Sequence, residues 1–185
     1  MSNARNLANL LGTGTTIPGT KMPTGSVIQT VQTVLTSTVA IGSIAQGAES
    51  GNVSGFTRTI TPSSTSNKVL VIINAGIGNG TLDQSGTITL YRDDSKVTAF
   101  VGDAASNRKR TSTGNMSSGN PRDISQLTLT FLDSPSSTSE LTYSIRVSHN
   151  EGSSMNLYLN KSNDDNDANY ASRMASAMIL QEIKG

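Results

Sequence analysis

The chain has 185 residues, of which 34% are hydrophobic, 15% charged and 4% aromatic, and its formal net charge is +1. This length fits one domain with an additional arm, and so small a net charge predicts no nucleic-acid partner. We also predict no membrane insertion, because the longest aliphatic run, Val69 to Ile73, is far too short to span a bilayer. Cysteine is absent and histidine occurs once, which excludes disulfides, thiolate metal sites and multi-histidine metal sites. The Thr-, Val- and Ile-rich composition favours strands over a helical bundle.

Residues 1–24 differ in pattern from the rest of the chain. Leu7, Leu10 and Leu11 fall at i, i+3 and i+4, which places them on one face of a short helix that would end near Gly12. Such a short helix is marginal in water, so its leucine face needs a surface to cover. Gly and Pro recur from there to residue 24 without a period, as in an extended arm. We therefore predict a helix and anchoring arm over residues 1–24, with the three leucines as the anchor.

From Gly25 onward the hydrophobic period becomes two, and breaks rich in Gly, Ser, Asn and Pro separate short strand-like segments. About ten strands without helices between them indicate an antiparallel sandwich rather than a parallel α/β sheet. We predict that residues 25–185 form an all-β, antiparallel β-sandwich of jelly-roll type. The predicted strands lie within residues 25–36, 38–46, 55–61, 68–77, 86–92, 96–101, 124–132, 140–149, 154–160 and 174–184.

Two of these strands, at residues 69–73 and 174–183, are apolar on both faces. A strand of this kind is covered on both faces, whereas a two-sheet sandwich covers only one. A neighbouring subunit, the N-terminal arm or a loop could supply the second cover of the last strand. We predict a homotrimer with Met174, Met178 and Leu180 at the subunit contact.

Two loops share the sequence P-S-S-T-S, at residues 62–66 and 135–139, each just before a strand. We interpret both as Ser/Thr turns that feed antiparallel strands, because short hydroxyl side chains bond the backbone two residues on. A duplicated half-domain is the alternative, which two matching loops do not establish.

No motif indicates an enzyme. Gly76, Gly78 and Gly80 are spaced G-x-G-x-G and precede a strand-like segment, so they predict a glycine hairpin or loop rather than a dinucleotide-binding turn. His149 ends a predicted strand as a histidine at the rim of the sheet, and no G-x-S-x-G elbow accompanies it. We therefore predict no catalytic residues and no cofactor.

An acidic stretch at residues 162–170 resembles the start of a calcium loop. Asp165, Asp167 and Asn169 match its positions 1, 3 and 5, but Tyr170 stands where Gly is needed and Ser176 where Glu is needed. We interpret the stretch as an Asx-rich turn and predict that folding requires no metal.

The one basic run, Arg108, Lys109 and Arg110, lies in a long polar stretch between strands. It is either a solvated loop or a contact for an anionic partner, for which guanidinium and ammonium groups are suited.

Several segments together resemble one protein group. The opening ARNLANLLGTGTTIPGTKMPTGSVIQTVQ, the pieces ITPSSTSNKVLV, GDAASNRKRTS and FLDSPSSTSELTYSIRV, and the closing MILQEIKG are similar to short structural and fibre-like virion proteins of marine bacteriophages (cyanophage or pelagiphage type). The resemblance covers nearly the whole chain. It implies a trimeric β-sandwich located in the virion on the head or tail, with capsid or tail proteins as partners and no catalytic residues.

Taken with this resemblance, the sequence predicts a non-enzymatic bacteriophage virion protein. Its role would be that of a short trimeric appendage, a head decoration or fibre or a tail fibre or adaptor, attached through the N-terminal arm. The alternative is a β-sandwich module that binds a host-surface glycan. Such a module stacks sugars on exposed aromatic rings, and the chain has no tryptophan.

Overall fold

The computed structural model describes residues 17–80, 84–118, 120–149 and 152–185. Leu7, Leu10 and Leu11 lie outside these residues. The described strands are β1 (Val27–Leu35), β2 (Val39–Ile44), β3 (Thr57–Ile60), β4 (Lys68–Asn79), β5 (Gln84–Arg92), β6 (Ser95–Lys96), β7 (Met116–Ser118), β8 (Ser125–Asp133), β9 (Leu141–His149), β10 (Met155–Leu159) and β11 (Ser176–Ile183). Two short 3-10 turns cover Gly19–Lys21 and Thr98–Phe100.

The strands form two antiparallel sheets whose pairings are nested along the chain. In the first sheet β1 pairs with β11, and β4 pairs with β11 on one side and with β8 on the other. In the second sheet β3 pairs with β9, β9 with β5, and β5 with β6 and β7. The first strand, β1, thus pairs with the last, β11, then β3 pairs with β9 and β4 with β8. Along the sequence, each pair lies inside the pair before it. This is the jelly-roll arrangement, and it confirms the predicted fold class.

The core lies between the two sheets because alternate residues of each strand point inward. In β4 the inward residues Val69, Val71 and Ile73 have no exposed surface, and they face the equally buried Leu90 and Ile145 of the second sheet. The predicted strands agree with the described ones except around residues 96–101. There the chain forms a 3-10 turn after the two-residue β6, because Val97 folds back to pair its N–H with Leu90 O. The short β7 was not predicted.

β10 and β11 are two halves of one strand that a long loop interrupts. Both run antiparallel to β4, with Leu159 opposite Ile77 and Ala177 opposite Asn74. The intervening chain leaves the sheet after Asn160, whose N–H still donates to Gly76 O at 2.8 Å, and returns at β11. We call residues 161–175 the excursion loop. On the other side of this interrupted strand, β1 and β2 pair with its two halves in turn.

Both P-S-S-T-S segments are Ser/Thr turns, as predicted. The N–H of Ser66 donates to Ser64 Oγ at 3.3 Å, and the N–H of Ser139 donates to Ser137 Oγ at 3.0 Å, which are equivalent positions of the two motifs. The first turn leads into β4 of the first sheet and the second into β9 of the second sheet.

A buried carboxylate fixes the first of these turns. Glu182 of β11 has no exposed surface, and its oxygens accept hydrogen bonds from Asn67 Nδ2 at 2.6 Å, Ser63 N at 2.6 Å, Ser63 Oγ at 2.8 Å and Gln29 Nε2 at 2.7 Å. Burial raises the pKa of Glu182, but these donors together hold that pKa below its ordinary value. Glu182 therefore stays ionised at neutral pH and joins three segments of the chain.

Candidate functional site

The outer face of the second sheet is covered by the protein itself. Its outward side chains Thr87, Thr89, Ser144 and Ser148 are almost completely buried. The segment of residues 47–53 runs beside β9, with backbone bonds from Gly47, Ser50 and Val53 to β9 carbonyls. From this segment Glu49 accepts a hydrogen bond from Thr89, and Asn52 accepts one from Ser144.

Lys109 binds the segment of residues 47–53 from the other edge of the β9–β5 pair. It belongs to the loop of residues 102–115, whose Ser112 and Thr113 bond to the free edge of β5. Its ammonium donates to Gly47 O at 2.9 Å and to Ala48 O at 2.8 Å. Lys109 therefore links segments that lie on opposite edges of the β9–β5 pair.

The three residues of the basic run have different surroundings. Arg110 turns away from Lys109 and donates from Nε to Gly102 O at 2.5 Å. Arg108 is exposed, and its guanidinium makes no hydrogen bond or ion pair with any residue that the structure describes. The structure thus brings Arg108 and Lys109, but not Arg110, to one groove of about 840 Å³ that Gln46, Asn107, Thr111 and Thr113 also line.

Charged groups beside this groove lie close enough to shift one another's pKa values. Glu49 accepts a hydrogen bond from Tyr91 and pairs with Lys96 Nζ at 2.9 Å. Burial raises the pKa of Glu49, but these two partners hold it below its ordinary value. Burial and the Glu49 carboxylate raise the pKa of Tyr91 to about 12. Burial, with repulsion from Lys96, lowers the pKa of Lys109, although Glu49 opposes that shift.

The outer face of the first sheet differs, because little of the described chain covers it. Inward residues of β11 are buried, so its outward residues and their cross-strand partners define this face. One end of the face carries the exposed Lys68, opposite Ile183, but the twelve outward side chains at its centre are uncharged. Val34 is 53% exposed and Leu132 is 43% exposed. We call it the uncharged face, and it comprises Thr30, Gln32, Val34, Leu70, Ile72, Asn74, Thr128, Thr130, Leu132, Ala177, Ile179 and Gln181.

The excursion loop covers only one end of this sheet, where two glycines make room for it. A Cβ added at Gly76 would lie 2.1 Å from Met174 Sδ, and one at Gly78 would lie 2.1 Å from Lys161 O. Both glycines belong to β4, so the predicted glycine hairpin is wrong at these two positions. Their role is to admit the loop against the sheet.

The methionines and leucine predicted at a subunit contact lie in two places. Met178 and Leu180 have no exposed surface because they point into the core of their own subunit. They therefore have no surface to offer a second subunit, which corrects the prediction for these two residues. Met174 is half-buried in the excursion loop. The outward residues of the same strand are Ala177, Ile179, Gln181 and Ile183.

The acidic stretch lies in the excursion loop. The carboxylate at position 1 of the calcium-loop match, that of Asp165, is already paired. Asp165 accepts from Arg173 Nε at 3.0 Å and from the terminal nitrogen of Arg173 at 2.9 Å, and it lies 3.5 Å from Lys161 Nζ. Arg173 in particular holds the pKa of Asp165 below its ordinary value. Within the described ranges, no group of three or more His, Cys, Asp or Glu residues could hold a metal ion.

His149 was expected at the rim of the sheet, but the structure buries it completely. Its Nε2 lies 2.5 Å from the carbonyl oxygen of Ile44. The nearby segment of residues 47–53 covers the end of β9, which the alternating pattern of that strand could not indicate.

Comparison with known proteins gives a likeness of fold only. No protein-family model and no curated protein matches the chain. Solved structures with a weak likeness to the chain include that of the infectious bursal disease virus Gt strain, at 10% identity and a TM-score of 0.43, with 88% of this chain covered. The VP2 subviral particle and the Gx strain of the same virus follow at 10% identity and TM-scores of 0.38 and 0.37, each with 86% covered.

This chain spans 37–39% of the length of those viral chains. Likenesses this weak carry no argument about function. In the residues that the structure describes, no helix has the length and hydropathy needed to cross a membrane.

Proposed function

We propose that the protein is a structural component of a bacteriophage virion, a short homotrimeric appendage of the head or tail. Residues 25–185 form its body, and residues 1–24 are its attachment arm to other virion proteins. Support comes from the sequence resemblance and from a jelly-roll body, an architecture that viral capsid domains and lectins use. Because a fold alone does not fix a function, the proposal depends on the surface that the fold presents.

The observation that carries the proposal is the contrast between the two outer faces. The chain buries the polar outer face of its second sheet, but it leaves the uncharged face of its first sheet largely uncovered. Burying such a face against a neighbour removes no ion from water, so the desolvation cost is small. Its apolar centre, around Ile72 and Ile179, gains free energy when another subunit covers it.

Polar side chains on the uncharged face are already partly paired. Thr128 Oγ1 donates to Asn74 Oδ1 at 2.8 Å, and Gln181 Nε2 donates to Thr30 Oγ1 at 3.3 Å. Polar groups that keep such bonds cost less to bury than unpaired ones. We therefore propose that this face, rather than Met178 and Leu180, forms the contact between subunits, and closed three-fold symmetry would use it in every copy.

The arm would leave the body beside the last strand. Gly25 N donates to Lys184 O at 2.8 Å and Lys184 N donates to Ser26 O at 2.9 Å, so the start of the body is fastened to the end of β11. The arm therefore joins the body at Gly25, beside the end of β11. In the proposed virion, Leu7, Leu10 and Leu11 dock on another virion protein.

A reconstruction of virus particles purified from an infection that produces the protein tests this function. We expect density for the jelly roll on the head or tail, with the uncharged face against a neighbouring subunit and the N-terminus directed into the particle. Purified particles that lack the protein, or density in which the uncharged face meets only solvent, would contradict the proposal.

The alternative function is a module that binds host-surface carbohydrate. It needs a polar groove instead of an assembly face. The groove beside Arg108 and Lys109 is the feature that favours it.

A further inference from the structure

The groove beside Arg108 carries positive charge, and no acidic side chain is among its described lining residues. The charged residues that line it are Arg108 and Lys109. The nearest carboxylate with an effect on Lys109, that of Glu49, is already paired with Lys96 at 2.9 Å and bonded to Tyr91. The groove therefore presents net positive charge to any ligand that enters it.

Lys109 is itself held in an unfavourable electrostatic position. The two backbone carbonyls that accept from its ammonium, those of Gly47 and Ala48, carry no net charge. Burial lowers the pKa of Lys109, against the attraction of Glu49, and repulsion from Lys96 adds a smaller effect in the same direction as burial. An ammonium has three donor hydrogens, so one remains for a ligand, and an anion bound there would offset both unfavourable effects.

The remaining lining distinguishes between classes of ligand. Asn107, Thr111 and Thr113 supply amide and hydroxyl groups, and no aliphatic or aromatic side chain stands among the described lining residues. A protein partner needs apolar or aromatic anchors at the centre of its contact, and single-stranded nucleic acid needs stacking rings. An acidic saccharide can be held through its anionic groups and hydroxyl groups, without the ring stacking that holds a neutral sugar, and about 840 Å³ is within the usual size of small-ligand sites.

We propose that this groove binds an acidic saccharide, with a carboxylate or sulfate group on Arg108 and Lys109 and sugar hydroxyls on the neighbouring Thr and Asn side chains. Arg108 offers a planar fork of donors that fits either anion. The inference deepens the carbohydrate-binding alternative and does not depend on assembly into a virion. Arg110, whose Nε is taken by Gly102 O, is not part of the site.

Binding of the full-length protein to four polymers tests the proposal. Sulfated dextran and polygalacturonate supply the two anions on a sugar chain, neutral dextran supplies hydroxyl groups alone, and polyglutamate supplies carboxylates on a polypeptide. Affinities are measured by calorimetry at about 0.15 M salt, where weak nonspecific attraction is screened. We expect one or both acidic polysaccharides to bind, and neutral dextran and polyglutamate to bind at least tenfold more weakly.

Two matched variants locate the site. Arg108→Gln should weaken binding about tenfold or more, as the loss of a charged hydrogen bond implies. Arg110→Gln removes the same charge from the same loop and should keep the affinity within about twofold. Equal losses in both variants, no binding of either acidic polysaccharide, or preferred binding of polyglutamate would each overturn the proposal. An unchanged melting temperature of Arg108→Gln shows that the fold is intact, and particle incorporation reports separately on the virion function.

Discussion

The hydroxyl of Ser176 donates to the side-chain oxygen of Asn160 at 2.5 Å, across the two ends of the excursion loop. The same hydroxyl accepts from Gly76 N at 3.0 Å. The amide of Asn160 donates to Leu35 O at 2.7 Å and to Ser37 O at 2.9 Å. These two side chains thus replace the ladder hydrogen bonds that the sheet loses where β10 stops and β11 begins.

Replacing Asn160 with Ala should therefore destabilise the whole sandwich. Asn160 is fully buried and has φ 66°, a left-handed conformation that Ala adopts only at a cost. The lost bonds and this strain together predict a decrease of about 2–4 kcal/mol in the free energy of unfolding. Urea denaturation measures it.

Asn160→Gly is the matched control for that experiment. Glycine tolerates a positive φ, so this variant should lose less stability than Asn160→Ala. Wild-type stability in Asn160→Ala would show that the junction does not hold the sheet.

The sequence predicted the jelly roll well because the inward residues of most strands, such as Leu127 and Leu129 of β8, alternate with polar outward ones. It could not predict that a loop divides the last strand, because Asn160 and Ser176 are close only in the folded chain. Nor could it show which side of β11 points inward when both are apolar. Met178 and Leu180 were therefore assigned to the wrong face.

The basic run was predicted only in part for a related reason. Local sequence identified Arg108, Lys109 and Arg110 as charged, but their partners Gly47, Ala48 and Gly102 depend on long-range folding. The uncharged face likewise emerges only when strand order places β1, β11, β4 and β8 side by side.

Glu182→Gln should destabilise the protein most at neutral pH. The neutral amide would keep one oxygen to accept from Asn67 and Ser63, but its NH2 group would face the donor Gln29 Nε2 and all the remaining bonds would lose their charge, at a cost of about 1.5–3 kcal/mol. The pKa of Glu182 in the folded protein lies below its ordinary value because Asn67, Ser63 and Gln29 donate to the carboxylate, so its stabilising effect is present above that ordinary value and is lost as the pH falls through the folded value. The difference in stability between wild type and variant should therefore shrink on acidification below about pH 4.5.

Glu140→Gln serves as the control because Glu140 is exposed and loses the same charge. It should change stability by less than about 0.5 kcal/mol. If Glu182→Gln and Glu140→Gln unfold alike at pH 7, the buried carboxylate does not fasten the turn.

A chelator should leave the melting temperature unchanged. The carboxylate of Asp165 is engaged by both donors of Arg173, so folding needs no cation to balance it. Scanning calorimetry with and without EDTA measures this. A fall of several degrees that calcium reverses would instead reveal a site at Asp165, Asp167 and Asn169.

Deleting residues 1–24 should leave a soluble body of nearly unchanged stability that no longer joins particles. The arm's proposed partner is another virion protein, and replacing Leu7 and Leu11 with Asp should have the same effect because it puts charges into an apolar contact. Thermal melting and particle incorporation are measured on the same variants. A truncated protein that melts earlier but is still incorporated would show that the arm covers its own subunit.

Light scattering of the purified protein, with and without a single charge on the uncharged face, tests whether this face joins three subunits. Thr130 is exposed on that face opposite Ile72, and Thr98 is exposed elsewhere, so Thr130→Lys and Thr98→Lys are matched changes. We expect a mass near three times 19.3 kDa for wild type and for Thr98→Lys. We expect Thr130→Lys to be a well-folded monomer, because the subunit contact would bury its charge. A wild-type monomer at micromolar concentration, or association of Thr130→Lys equal to that of wild type, would contradict it.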